Sequence, residues 1–260
     1  MNKIIMIFSY FIIYSFLGWL LESIYKTIYQ KKLVNSGFLL GPVCPIYGVG
    51  ALILYFVLKG FKGNAVIVFC LGFVVLSVWE YLVSIFLEKV FHTKYWDYSE
   101  NKYNLQGRVC LKNSCFWGIL GIVFIYLVHP FVKKNLLLID YNVLIYIDFI
   151  ILLVLLVDTV TTIIKLIKIE SNLAKLEELN EKIKEKLQEI KSIGKSVSIN
   201  TTTENAKDIL EKLKIKRNRL NKRLYRNVYR LKKAFPTMKS DTISKILEIK
   251  NDLKRIEKRK

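Results

Sequence analysis

Five long apolar runs constrain the fold of this chain more than any other feature of its sequence. A bilayer core of ~30 Å requires about 20 apolar residues per helix, and soluble domains rarely contain several runs of this length. Lipid offers no partners for backbone groups, so such runs cross a membrane as helices. We therefore predict an all-α, multi-pass membrane helix bundle of about five transmembrane helices, near residues 4–29, 44–58, 65–86, 116–132 and 141–164.

The second and fourth runs are short. They are expected to tilt little, to be partly re-entrant or to extend into their flanks.

Charge divides the chain into two parts. The sequence contains 41 Lys and Arg against 21 Asp and Glu, and most of both kinds follow residue 164. We assign residues 1–164 to a transmembrane bundle and 165–260 to a basic helical hairpin or coiled-coil arm, with a loop at about 194–203. Basic residues are concentrated after the first and third runs and in the arm, which places these segments inside the cell. The predicted protein lies in the cell membrane with its N-terminus outside and its C-terminus in the cytoplasm.

Three acidic side chains interrupt the first, third and fifth runs. Each lies about six residues from the predicted inner end, which at ~1.5 Å per residue is roughly 10 Å inside the membrane. A charge that faces lipid there costs ~2.5–3.5 kcal/mol or more, so these groups should face the bundle interior or water. The pattern predicts a shared cavity open to the cytoplasm; alternatively, each carboxylate pairs separately with a basic residue near the interface. We assign to this pathway Glu22, Glu80, Asp158, Arg108, Trp19 and Trp79.

Two segments beside these carboxylates are unusual. Residues 35–51, NSGFLLGPVCPIYGVGA, are rich in Gly and Pro, which indicates either irregular backbone covered by protein or water, or a tight turn before close helix packing. Residues 94–118 are too aromatic for a solvated linker. They form either an interfacial belt or a folded flap from which Arg108 reaches Glu22 or Glu80. The predicted coupling surface comprises Trp96, Asp97, Tyr98, Asn104 and Trp117.

The arm carries its own helical pattern. Apolar residues at alternating spacings of three and four between residues 166 and 190 predict a coiled-coil seam continuous with the fifth membrane helix, through which a homo-oligomer could form. Thr201 and Glu204 fit a capping box for the next helix, Pro236 ends it, and Asp241 begins a short last helix.

Residues 212–233 are rich in Lys and Arg and contain no acid. Such a helix lies on an anionic lipid surface, at ~1 kcal/mol per basic residue close to it, or it is a solvated or partner-facing helix. Nucleic-acid binding is disfavoured because Tyr225 and Tyr229 are too few for a stacking platform. The predicted lipid contacts are Lys216, Arg217, Arg219, Lys222, Arg223 and Arg226.

Several linked motifs resemble one family. They are FLGWLLE (16–22), NSGFLLGPVCPIYGVGA (35–51), WEY (79–81), WDYS and NLQGRVCL (within 96–111), SCFWGILG (114–121) and RLKKAFPTMKS (230–240). Together they resemble the CmpB-like family of bacterial ABC-transporter permeases, strongly over residues 1 to about 165 and weakly in the tail. Ser36 stands where members of that family often have Arg. The resemblance implies a transport subunit that works with a separate ATPase, since the chain has no phosphate-binding G-x-x-x-x-G-K-[ST] loop of its own.

Two functions follow from these observations. The first is a permease or transport subunit with a carboxylate-lined cavity; the alternative is a membrane-anchored scaffold or regulator that acts through the coiled-coil arm. An intramembrane enzyme is disfavoured because no nucleophile is evident and His92 and His129 fall on opposite sides of the predicted topology. We predict no cofactor, and no metal site, because Cys110 and Cys115 lack His ligands at zinc spacing.

Overall fold

A computed structural model describes residues 2–193 and 200–246 of the chain. Contacts divide it into two compact units. The first, called here the membrane body, comprises Met1–Ile163 together with Lys232–Lys239. The second, called the arm, comprises Ile164–Leu231 and the residues from Ser240 onward.

Helices make up most of the described chain. They are α1 (Lys3–Gln30), α2 (Pro45–Leu58), α3 (Ala65–Phe91), α4 (Leu111–Val123), a π-helical turn (Phe124–Val128), α5 (His129–Leu136), α6 (Tyr141–Ile193) and α7 (Asn200–Ala234). A two-stranded antiparallel hairpin, β1 (Asn104–Leu105) and β2 (Val109–Cys110), interrupts the series before α4.

Within residues 2–193 and 200–246, four helical stretches are long and apolar enough to cross a membrane: Lys3–Gln30, Ala65–Phe91, Leu111–Leu136 and Tyr141–Ile190. The prediction of a helical, multi-pass membrane protein is therefore confirmed. The second predicted run is not one of these four stretches. Its helix, α2, has only 14 residues and at ~1.5 Å per residue is roughly 21 Å long, which is shorter than a bilayer core of ~30 Å. The fourth run extends into both flanks, as one of the three expectations for the short runs required.

Local sequence explains where these helices begin and end. Asn2 and Asn64 cap α1 and α3, since each side chain accepts a hydrogen bond from a backbone N–H of the first turn. Pro45 opens α2, where its missing N–H costs nothing. Lys31 and His92 end α1 and α3 in the left-handed conformation.

The core of the membrane body lies between α1, α2, α3 and the π-helical turn. Its buried side chains include Tyr14, Leu54, Val68 and Ile125. Gly48 of α2 allows α1 and α2 to approach closely, because a Cβ atom there would lie 2.0 Å from Ser15 Oγ. Large apolar side chains on the outer helix faces stay exposed, as expected of surfaces that contact lipid.

The Gly- and Pro-rich segment between α1 and α2 is irregular and is covered by protein. Ser36, Leu39 and Cys44 are buried, and the Cys44 N–H donates to the Ser15 carbonyl over 3.0 Å. The Ser36 N–H donates to Ser23 Oγ over 3.1 Å. The segment is thus irregular backbone covered by protein, and the close helix packing of the other interpretation is also present at Gly48.

The arm contains the second part of α6, most of α7 and a short helix over residues 241–246. Ile169, Leu173, Leu176 and Ile183 of the predicted seam are buried, whereas Leu187 is exposed. A coiled coil with a second copy stays a prediction.

The boundaries of α7 differ in part from the predicted ones. It begins at Asn200, so Thr201 lies inside the helix and residues 200–203 of the predicted loop are helical. Its remaining part, residues 194–199, lies outside the described residues, as does the predicted apolar face beyond residue 246. The helix ends at Ala234, as Pro236 predicts.

Candidate functional site

Glu80 is the most enclosed of the three predicted carboxylates. It lies in the middle of α3, is 5% exposed, and accepts hydrogen bonds from Trp117 Nε1 over 2.9 Å and from the Tyr98 hydroxyl over 3.1 Å. Trp117 comes from α4 and Tyr98 from the loop between α3 and α4. Both donors are neutral, so these contacts place Glu80 without supplying the positive charge that would balance an ionised carboxylate.

The loop that carries Tyr98 is a folded unit rather than a linker. The Tyr98 N–H donates to the Gly107 carbonyl over 2.8 Å, and Trp96 Nε1 donates to the Arg108 carbonyl over 2.9 Å. Asn104 closes the hairpin by accepting the Gly107 N–H over 2.9 Å. Gly107 itself is required, because its φ of +65° is left-handed and a Cβ atom there would lie 2.2 Å from Asp97 Oδ1. The folded flap predicted from the sequence is therefore present.

Asp158 holds the irregular segment between α1 and α2. Its two carboxylate oxygens accept the backbone N–H groups of Leu40, over 3.0 Å, and Gly41, over 2.8 Å. Thr162, one turn later on α6, adds a hydroxyl contact at 3.3 Å. Asp158 thus provides acceptors for backbone groups that have no helical partner at membrane depth.

Glu22 is connected through Lys26 to a distant part of the chain. Lys26 Nζ lies 2.5 Å from Glu22 Oε1, one turn away on α1, and also donates to the Ala234 carbonyl. Gln30 donates to the Lys233 carbonyl over 3.1 Å. The segment Lys232–Lys239, called here the docked segment, therefore lies against the end of α1 within the membrane body.

Asp97 fixes the docked segment to the loop between α3 and α4. Lys94 and Lys239 pair through an antiparallel backbone bridge, and both side chains form ion pairs with the Asp97 carboxylate. Burial disfavours the charged form of Asp97, but the hydrogen bonds from Lys239, Lys94 and Ser99 outweigh it and hold its pKa below the usual range. The Phe235 ring packs edge-on against Tyr95, with ring centres 5.1 Å apart.

Arg108 has a different partner from the one predicted. Its guanidinium lies 2.6 Å from Glu88 Oε2 and donates to Ser84 Oγ over 3.1 Å. Glu88 is two turns beyond Glu80 on α3, so it lies closer to the hairpin that carries Arg108. The hypothesis that Arg108 reaches Glu22 or Glu80 is wrong for this structure.

The two remaining predicted pathway residues hold backbone or loop groups. Trp19 Nε1 donates to Asn35 Oδ1 over 2.7 Å, and Trp79 Nε1 donates to the Ile46 carbonyl over 2.9 Å. Their indoles position the segment around α2 rather than any of the three carboxylates.

The structure brings some of the predicted residues together and separates others. Glu80, Tyr98 and Trp117 form one cluster, whereas Asp158 and Glu22 contact different parts of the segment before α2, with Cys44 Sγ 3.8 Å from Glu22. A water-filled cavity shared by the three carboxylates stays a prediction. Sequence reasoning missed the second partner of Lys26, although its position one turn after Glu22 indicated the ion pair between them.

The basic residues predicted to contact lipid lie mostly along one groove of the arm, between α6 and α7, of about 700 Å³. Leu179 and Leu220 also line it, and Glu178 in its wall pairs with Lys182 over 2.5 Å. Arg217 is not part of this lining and bonds to the Asn218 side chain. The basic residues of the groove are Lys175, Lys182, Lys216, Arg219, Lys222, Arg223 and Arg226.

These features define the class of protein: a helical, multi-pass membrane protein with acidic side chains enclosed between its apolar helices. A family model described as Putative ABC-transporter type IV (ABC_trans_CmpB) matches residues 9–163. The chain belongs to that family, and the resemblance drawn from its motifs is confirmed over residues 9–163. No curated protein and no solved structure matches the chain.

Proposed function

We propose that the chain is the membrane-spanning subunit of a transporter and that Glu80 binds a proton or a cationic substrate. The observation that carries this proposal is the enclosure of Glu80, which is 5% exposed and bonded to two neutral donors. Acidic groups at membrane depth are costly and commonly mark ion or proton pathways. Membership of a family of ABC-transporter components supports the same reading.

The loop between α3 and α4 provides a way to control access to Glu80. Tyr98 in this loop covers one carboxylate oxygen, and the loop is fastened to the docked segment through Asp97. A separate ATPase that moves the loop would break the bond between Tyr98 and Glu80 and admit water to the carboxylate. Return of the loop would close it again, which supplies the gate on one side of the membrane that alternating access requires.

The proposed orientation places this loop in the cytoplasm and the N-terminus outside. We expect a membrane-impermeant maleimide to label single cysteines at Leu33 and Tyr103, which are 84% and 81% exposed, only after the cell membrane is opened. It should label cysteines at Gly63 and Leu138 in intact cells, with the native chain as the control for its own four cysteines. The opposite labelling pattern would invert the topology and remove the cytoplasmic ATPase from the proposal.

Reaction with a membrane-soluble carbodiimide tests Glu80 directly, because this reagent modifies protonated carboxyl groups in apolar surroundings. We expect peptide mass spectrometry to find the adduct on Glu80 in native membranes, and proton uptake by proteoliposomes with entrapped pyranine to fail in Glu80→Gln. Glu100→Gln is the control, since this side chain is exposed and, unlike Glu88, does not pair with Arg108 of the hairpin. Unchanged proton and cation uptake in Glu80→Gln, in correctly inserted protein, would overturn the proposed role.

The predicted ATPase is tested from the loop itself. A photocrosslinker at Tyr103 should trap a protein that hydrolyses ATP, whereas the same group at Leu138 should not. Trapping of the ATPase from both positions, or from neither, would argue against the loop as the coupling surface.

The alternative is a scaffold or regulator that acts through the coiled-coil arm, and the basic groove of the arm supports it. It predicts that Arg219→Gln/Arg223→Gln abolishes function in cells while carbodiimide labelling of Glu80 and proton uptake persist. The transport proposal predicts instead that Glu80→Gln abolishes function in cells.

A further inference from the structure

A second concave site lies in the membrane body, away from the carboxylates. It is a cavity of about 400 Å³, within the range of roughly 300–1,000 Å³ that small-ligand pockets occupy. Its lining comes from the end of α2, the turn before α3, and α5. The lining residues are Tyr55, Lys62, His129, Pro130, Lys133, Lys134 and Leu137.

His129 forms the rigid floor of this cavity. The residue is 2% exposed, its Nδ1 lies 2.7 Å from the Tyr14 hydroxyl, and its ring stacks on Tyr55 with centres 4.2 Å apart. When Tyr14 donates to Nδ1, the neutral imidazole carries its hydrogen on Nε2 and can donate it to a ligand. The surrounding rings of Tyr10 and Phe124 leave His129 little freedom to turn.

The backbone at His129 departs from a regular α-helix. The π-helical turn Phe124–Val128 precedes it, and Pro130 follows it. Pro130 has no N–H, so the carbonyl four residues earlier loses its helical donor. π-Helical turns of this kind are frequent at functional sites, and here the turn sets the direction of the helix that presents Lys133 and Lys134.

The charge of the cavity is one-sided. All three of its lysines are exposed, and among residues 2–193 and 200–246 none of them forms an ion pair. The acidic residues at the start of α6 have other partners: Asp148 accepts from Ser9 over 2.6 Å, and Asp140 caps the helix through the Asn142 N–H. A cleft with one sign of charge and low-dielectric walls concentrates ions of the opposite sign.

We propose that this cavity, called here the lysine pocket, binds a phosphate-bearing anion. Lys62, Lys133 and Lys134 would surround the phosphate oxygens, and His129 would donate from the floor. Basic pockets between membrane helices bind lipid headgroups on the cytoplasmic or matrix side; the lysine pocket lies at the outer ends of the helices in the proposed orientation, where a lipid headgroup and a free phosphate present the same oxygens. The proposal does not depend on transport or on Glu80.

Binding by the purified full chain in nanodiscs distinguishes these two sources. One arm uses phosphatidylcholine nanodiscs and measures the binding of radiolabelled inorganic phosphate by equilibrium dialysis. The other arm uses nanodiscs that also contain phosphatidylglycerol and counts retained phosphatidylglycerol by native mass spectrometry. We expect about one anion per chain in at least one arm, and at least tenfold weaker binding in Lys62→Gln/Lys133→Gln.

Lys59→Gln is the matched control, because this lysine lies three residues before Lys62 but packs over the Phe56 ring and does not line the cavity. Loss in the double variant with binding retained in Lys59→Gln would support the pocket, and the arm that shows it would identify the source. Absence of binding in both arms would overturn the proposal. Equal loss in Lys59→Gln and the double variant would also overturn it, since it would indicate general attraction to a basic surface.

Discussion

The carboxylates of the membrane body are enclosed by partners, whereas the lysines of the lysine pocket surround open space. Glu80 and Asp158 each accept two or more hydrogen bonds from named donors, while Lys62 and Lys133 are exposed. Sixteen helical residues separate Asn64 from Glu80 along α3, roughly 24 Å at ~1.5 Å per residue. The difference follows from depth, because a polar group inside the bilayer must find partners in the protein and one at its edge can find them in water or a ligand.

The prediction with the largest expected effect on stability removes Asp158, the acceptor that holds the segment before α2. Asp158→Ala leaves the N–H groups of Leu40 and Gly41 without their partner, at a cost of about 1–3 kcal/mol for each. We expect a clear fall in the thermal unfolding temperature of the purified protein. Lys134→Gln should stay within about 0.5 kcal/mol of the native chain, and equal stability of the two variants would refute the contrast.

A second test distorts the hairpin that positions Tyr98. Gly107→Ala forces a left-handed residue with a Cβ atom against Asp97 Oδ1, at about 1–3 kcal/mol of strain. We expect lower stability together with faster carbodiimide labelling of Glu80. Gly60→Ala is the control, because a Cβ atom there meets nothing within 4 Å; identical behaviour of both variants would show that the hairpin does not shield Glu80.

The attachment of the docked segment is tested at Asp97. Asp97→Ala removes its ion pairs with Lys94 and Lys239, and a hydrogen bond to a charged group contributes about 1.5–3 kcal/mol. We expect spin labels at Tyr103 and Pro236 to report a longer and broader distance in the variant. Glu100→Ala, in the same loop, should leave the distance unchanged.

The same labels give a pH dependence for this attachment. The pKa of Asp97 is lowered in the folded protein, so its contribution is fully present above the ordinary value of ~3.9 and is lost only as the pH falls through the lower folded value. The distance in otherwise native protein should therefore be constant from about pH 7 to pH 4.5. Lengthening already between those values would mean that Asp97 does not hold the segment.

The smallest expected effect is that of Tyr98→Phe. This change deletes one hydroxyl that donates to Glu80 and keeps the ring, so stability should fall by only about 1 kcal/mol. Carbodiimide labelling of Glu80 should nevertheless increase. Tyr103→Phe, in the same loop but 81% exposed, is the control, and equal labelling in both would remove Tyr98 from the gate.

The sequence predicts those parts of the structure that rest on local composition. Apolar runs of about 20 residues have few alternatives to membrane helices, and the cost of charge in lipid singled out Glu80 and Asp158 before any contact was known. Contacts between residues far apart in the sequence were harder to predict. Arg108 could have met any of several acids, and the spacing along α3 that favours Glu88 depends on how the hairpin folds.

Two further features of the structure have no recognisable pattern in the sequence. The π-helical turn inserts its irregularity without a Gly, and Pro130 alone does not distinguish it from an ordinary kink. The docked segment lies more than 130 residues after Asp97. It contains both basic and apolar side chains, a composition that is as typical of the arm as of the membrane body. Its contacts with Lys26, Gln30, Lys94, Tyr95 and Asp97 assign it to the membrane body.

Because Lys232–Lys239 belongs to the membrane body, residues 164–231 are an insertion between two parts of that body. A truncation at Ile163, the end of the family match, would discard the eight residues that lie against α1 and the loop after α3. Replacing 164–231 by a flexible linker and ending the chain at Lys239 would retain them and give a smaller protein for reconstitution. A shortened version of this protein should therefore be designed as an internal deletion.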